Sequence, residues 1–136
     1  MNPNFFAQPW NDSEKMLKGK VIKGGQAEFS EDGIDLNEQL IRNKAATYFM
    51  QVNSDAMLGA GIQKGDVVIV DRLVPAESGK IVIAVLNNEM LIRYIEIANK
   101  RYCLVPATKS LASVDIDPLA DFYIWGVVTY VIRRFS

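Results

Sequence analysis

The sequence predicts a single, compact, mostly β domain preceded by an extended arm. Apolar runs rich in Val, Ile, Tyr and Phe recur at short intervals through residues 48–134, and none keeps a helical period for long. Turn-forming residues separate them: Asn53-Ser54-Asp55, Pro75 with Gly79, Asn87-Asn88 and Pro106. At 136 residues, 49% hydrophobic and 23% charged, the chain has the size and composition of one globular domain with its own core.

Residues 1–33 read as the arm. They are polar and broken by Pro3, Pro9, Gly19, Gly24, Gly25 and Gly33, too interrupted for the paired helices of a helix-turn-helix. One helical turn is expected across residues 12–18. Phe5, Phe6, Trp10 and Phe29 would be sticky in water, so they are expected to dock on the body or on a partner. The domain proper is residues 34–136. Asp35 caps a short helix, with Glu38 at the capping-box spacing and Leu36, Leu40 and Ile41 on one face. In the strand at 48–52, Tyr48, Met50 and Val52 alternate with Phe49 and Gln51. Asn53-Ser54-Asp55 breaks that strand, and Ala56-Met57-Leu58 opens a short helix. Gly59, Gly61 and Gly65 supply backbone freedom in the loop that follows. The unbroken apolar run inside 66–71 suits a strand buried on both faces. Residues 75–79 turn, and 81–86 with 90–97 form a hairpin across Asn87-Asn88, a pair that tolerates positive φ. A short strand at 102–105 stops at Pro106, residues 108–121 are irregular, and 122–134 form a long strand with a bulge or bend at Gly126.

Composition removes several function classes. Fifteen basic against sixteen acidic residues give a net charge of -1, without the basic excess of a phosphate-binding surface. There is no histidine, so Ser-His-Asp and Cys-His catalysis and His-ligated metals are excluded, and no metal or cofactor is implied. The single cysteine, Cys103, is expected to be a small buried hydrophobe. No signal-peptide core and no apolar run of membrane-spanning length occurs, which points to a cytoplasmic protein.

The stretch that carries chemistry is YFMQVNSDAMLGAGIQKGDVVIVD, residues 48–71. A strand turning sharply into a helical start exposes one side chain beside backbone N–H groups, the seat of a nucleophile with an oxyanion site. Ala56 occupies that seat and has no nucleophilic atom. Ser54, Asp55 and Met57 make up the turn and oxyanion region. Ser54 is read as a turn-bonding residue, and Asp55 and Asp66 as capping residues rather than a carboxylate pair.

Ser54-Asp55-Ala56-Met57, Gly61-Ile62 and the run from Gly65-Asp66 to Asp71 resemble the S24 family of self-cleaving serine peptidases, which includes LexA, phage repressors and UmuD. The resemblance continues through Lys80-Ile81-Val82-Ile83-Ala84, Met90-Leu91-Ile92-Arg93-Tyr94, Leu104-Val105-Pro106 and Gly126-Val127-Val128. It implies a LexA/UmuD C-terminal-type β domain. The family's nucleophilic serine falls at Ala56 and its lysine base at Arg93, so both members of the dyad are replaced. A lysine base works by losing its proton, which a guanidinium does not do. No sequence argument brings Lys80, Lys100 or Lys109 within reach of position 56. A family serine replaced by Ala56 in the laboratory would leave Arg93 unexplained. The family's cleavage site, a small residue followed by glycine in the arm, has its candidate at Lys23-Gly24-Gly25, which is equally a flexible hinge.

Within the family, Asp35-Leu36-Asn37-Glu38-Gln39-Leu40-Ile41 and the short arm resemble UmuD. That implies a homodimeric accessory protein of the SOS response. It would bind a UmuC-type translesion DNA polymerase, meet the RecA filament, and bind no specific DNA sequence. Two alternatives stand beside it: a RecA-stimulated Ser-Lys autopeptidase whose serine became Ala56, and the dimerisation domain of a LexA-like repressor.

Overall fold

The computed structural model describes residues 35–136 throughout and, ahead of them, the backbone of residues 5–9, 20–23 and 26–29. The expected helical turn at 12–18, Trp10, Gly24, Gly25 and the docking of Phe5, Phe6 and Phe29 lie outside what is described. Where its backbone is described, the arm is more structured than a plain extended segment. Strand β1, Phe5–Pro9, pairs with β4 of the body, and β2, Lys20–Lys23, pairs with β3, Gln26–Phe29, with Lys23 opposite Gln26.

The helix α1 spans Leu36–Leu40, and Asp35 caps it by accepting a hydrogen bond from the Asn37 N–H at 3.0 Å. Of the expected apolar face, Ile41 just beyond the helix is buried and Leu36 and Leu40 are half-buried. A 3-10 turn, Lys44–Ala46, leads into β4, Thr47–Val52. Then come β5, Val67–Asp71; β6, Ile81–Leu86; β7, Glu89–Ala98; β8, Arg101–Val105; β9, Val114–Asp115; and β10, Phe122–Ile132. Eight of the strands form one sheet in the order β1-β4-β5-β10-β6-β7-β8-β9, and each neighbouring pair is antiparallel. The protein is mostly β, as the sequence predicts.

Local chemistry sets the corners. Asn87 and Asn88 take φ of +50° and +68°, the two-residue turn that matches the twist of β6 and β7. Asn99 and Lys100 repeat this geometry between β7 and β8 at +51° and +62°, so the expected loop at Lys100 is a tight hairpin turn. β10 shifts register twice, against β6 between Ile124 and Gly126 and against β5 between Val128 and Tyr130. Gly126 is required there by packing, because a Cβ would sit 2.6 Å from Cγ1 of Val70.

The centre of the sheet is buried on both faces, so alternate residues of one strand enter different clusters. Ile83 and Ile92 pack with Met50, Val52, Ala56, Met57, Ile62, Val68 and Val70. Val82, Ala84, Ile95, Leu104, Ile116 and Val127 form the second cluster. Cys103 is half-buried rather than buried. Its thiol is pushed up by desolvation and, beyond that, by the Asp115 carboxylate. Among the described residues, no helix is long and apolar enough to cross a membrane.

Candidate functional site

Strand β4 ends by closing onto the start of β5. The Val52 N–H donates to the Asp66 carbonyl and the Gly65 N–H to the Val52 carbonyl, each at 2.8 Å. Residues 53–66 therefore form a loop pinched at its base. Inside it, the Asp55 carboxylate accepts from the Lys64 N–H at 3.3 Å, and Met57 and Ile62 are sunk into the core. The expected short helix is a single 3-10 turn, Leu58–Ala60, ended by Gly61 at φ +84°. The local reason is that Met57 and Ile62 both turn inward over a span too short for an α-helix, and the Ile62 N–H closes on the Met57 carbonyl at 3.2 Å. No α-helix follows Ala56; the strand leads into this 3-10 turn instead.

The far side of the loop is tied to the chain just after β8. The Gly59 N–H donates to the Ala107 carbonyl at 2.7 Å, and the Ala107 N–H donates to the Ala56 carbonyl at 2.8 Å. A Cβ on Gly59 would lie 2.7 Å from that same carbonyl oxygen of Ala107. Gly59 is thus needed for close approach of two backbones, not for the left-handed conformation that Gly61 and Gly65 adopt.

These ties place Ala56 on the wall of a cleft of about 190 Å³, together with Ser54, Asp55, Met90, Leu91, Ile92, Arg93, Ser110 and Leu111. The two positions singled out in the sequence, 56 and 93, therefore meet at one site. Ala56 is 2% exposed, so its methyl group is part of the wall and not a projecting tip. Arg93 is half-buried on β7, where β8 has already ended: the pairing of β7 with β8 begins at Tyr94 and Val105. Its Nη1 donates to the carbonyl of Ile92 at 2.7 Å. Burial pulls the Arg93 guanidinium below its ordinary pKa, and the Glu89 charge opposes that pull.

Among the described residues, no lysine lines the cleft. Lys80 sits 3.8 Å from Glu77 and lines a different, larger hollow of about 440 Å³ that includes neither Ala56 nor Arg93. Met57, read with the oxyanion region, is fully buried in the core and away from the cleft lining. Of the cleavage-site candidate, Lys23 is described only as the last residue of β2, and Gly24 and Gly25 lie outside the described residues. Ser110 and Leu111 carried no signal in the sequence, because they come from the irregular segment after β8.

Asp55 and Asp66 do not form a pair. Asp55 is exposed, whereas Asp66 is 3% exposed and held from the far end of the chain. Arg133 donates to Asp66 Oδ1 from Nε at 2.9 Å and to Oδ2 from Nη2 at 2.8 Å, and Nη2 also donates to the Gly61 carbonyl at 2.7 Å. The Gln63 N–H adds a fourth bond, to Asp66 Oδ2 at 2.9 Å. One arginine after β10 thus braces the loop that carries Ala56.

The Arg133 hydrogen bonds hold the Asp66 carboxyl below its usual range, burial works against them, and the Gln63 N–H assists them. A depressed folded-state pKa contributes stability above the unfolded value, near 3.9, and that contribution fades as pH falls through the folded value. Asp66→Asn is therefore expected to destabilise the protein at pH 7, with the gap to the parent closing below about pH 4. Urea midpoints at pH 7, 5 and 3 check this. A gap that stays constant across the three would contradict it.

A family model described as Peptidase S24-like matches residues 15–129 of the chain. The chain is 36% identical over 103 residues to Protein MucA of Salmonella typhimurium, covering 75% of this chain and 70% of that one. It is 35% identical over 107 residues to Protein ImpA of Shigella flexneri, covering 79% and 72%. With LexA repressor 2 of Pseudomonas putida it shares 31% identity over 106 residues, covering 74% of this chain and 52% of the repressor.

Proposed function

The chain belongs to the S24 peptidase family, and we propose that within it this protein is a UmuD-like accessory subunit that acts by binding and not by cleaving. In this reading it is a cytoplasmic homodimer that engages a UmuC-type translesion DNA polymerase in the SOS response. Residues 1–33 serve as its arm and 34–136 as its body. The observation that carries the reading is that Ala56 and Arg93, at the positions where the resemblance puts the family's serine and lysine, line the same cleft, with no lysine beside them among the described residues. An S24 site needs an alcohol and an amine that can be neutral, and this cleft offers a methyl group and a guanidinium.

A binding role also suits the end of β10. Tyr130, Val131 and Ile132 are each between 41% and 44% exposed, and Phe135 is 91% exposed. Four large, exposed apolar side chains within six residues suit a subunit contact.

Light scattering on the purified protein, with co-purification of a UmuC-type polymerase expressed beside it, tests the reading. The expected result is a dimer that retains the polymerase. A monomer at micromolar concentration that retains none would overturn it, as would tight, sequence-specific binding to operator DNA.

A further inference from the structure

Replacing a lysine by an arginine removes a base, but it also installs a different recognition group. A guanidinium presents five N–H donors in a planar fork that fits both oxygens of a carboxylate. Among the described residues, Arg93 makes one hydrogen bond, from Nη1 to the Ile92 carbonyl, and forms no ion pair. A half-buried cation on the wall of a concave site, with most of its donors uncommitted among the described residues, is poised for an anion.

The rest of the cleft limits which anion fits. Ala56, Met90, Leu91, Ile92 and Leu111 make it largely apolar. Its volume is about 190 Å³. That is room for a carboxylate and a small residue bearing it. Ser110 Oγ is 3.1 Å from Thr108 Oγ1, so one hydroxyl of the rim is already engaged. Asp55, the one acidic group of the lining, is exposed and bonded to the Lys64 N–H, so solvent screens it more than Arg93. The inner part of the cleft is therefore apolar and positive.

We propose that the cleft is a receptor for a peptide carboxylate, gripped by the Arg93 fork while the methyl of Ala56 and the side chains of Ile92 and Leu111 hold the small residue that carries it. This rests on the cleft being non-catalytic and names its ligand class. The carboxylate has two possible sources, a chain end or an aspartate side chain, and both present the same pair of oxygens.

The test is NMR titration of the full chain with three probes. They are N-acetyl-Ala-Ala-Gly as the free acid, the same peptide as its C-terminal amide, and N-acetyl-Ala-Asp-Ala amide. The Ala56 methyl and the Arg93 Nε–H are the reporters. At least one carboxylate-bearing probe is expected to shift both reporters and to bind at least tenfold more tightly than the uncharged amide. Tighter binding of the free acid assigns the site to a chain end, and tighter binding of the aspartyl amide assigns it to a side chain. Arg93→Gln is expected to remove the preference, because the charged fork is lost. Equal binding of acid and amides, or a preference that survives Arg93→Gln in a variant with an intact folded spectrum, would overturn the proposal. A protein that dimerises and retains its polymerase yet ignores every carboxylate loses only this site. One that takes the carboxylate but stays monomeric and retains no polymerase loses the accessory reading instead.

Discussion

Ala56→Ser alone is expected to leave the full-length chain uncleaved, whereas Ala56→Ser combined with Arg93→Lys is expected to restore a working nucleophile. The hydroxyl restored by the first change must lose its proton to a neighbour, and the neighbour in the cleft is a guanidinium that stays protonated. A lysine at position 93 would sit where burial already pulls Arg93 downward. Desolvation disfavours the charged form, so the amine would be drawn toward neutrality, with Glu89 opposing it. A positioned general base is worth about 10²–10⁴ in rate, so the two variants should differ by days against minutes to hours. Intact mass after incubation at alkaline pH, with and without an activated RecA filament, reads cleavage near Gly24. Labelling of position 56 by a fluorophosphonate reads the nucleophile independently of whether Lys23-Gly24-Gly25 is a good substrate. Clipping or labelling by Ala56→Ser alone would refute the claim that two losses silence the site.

What the sequence revealed and what it hid divide along physical lines. Short-range chemistry was legible: Asn87-Asn88 as a hairpin turn, the alternation of β4, the doubly buried β5 and the irregularity at Gly126 all rest on residues within a few positions of one another. The second hairpin turn was not, because Lys100 at φ +62° bears none of the usual turn chemistry and follows only one asparagine. The helical start after Ala56 was misjudged because the fate of Met57 and Ile62 is decided by the core they enter. The bidentate hold of Arg133 on Asp66 joins residues 67 positions apart, and no local pattern announces it. At the site, a family pattern supplied positions 56 and 93, and the fold brings them to one cleft. Ser110 and Leu111 complete that cleft from a segment whose sequence has no period.

Ile83→Ala is expected to cost the most stability of any single change in the sheet. Ile83 is fully buried on β6, the strand between β10 and β7, and it lies opposite Ile92 on one side and Gly126 on the other. Deleting three carbons from such a site leaves a cavity, because the neighbouring strands are held by their own ladders and cannot close in. Changes of this type cost about 2–5 kcal/mol, a large share of the roughly 5–15 kcal/mol that separates folded from unfolded domains. Thermal melting followed by circular dichroism, at one fixed protein concentration, should show a midpoint lower by about 6–20 °C. Leu119→Ser, at a side chain that is 95% exposed, should stay within about 0.5 kcal/mol of the parent. The cavity would also open directly behind Ile92, whose side chain lines the cleft beside Arg93. Carboxylate binding should therefore weaken in Ile83→Ala well below its melting point, before the sheet itself gives way. A variant that melts within a degree or two of the parent would show that the two-faced packing of β6 is not what holds the sheet together.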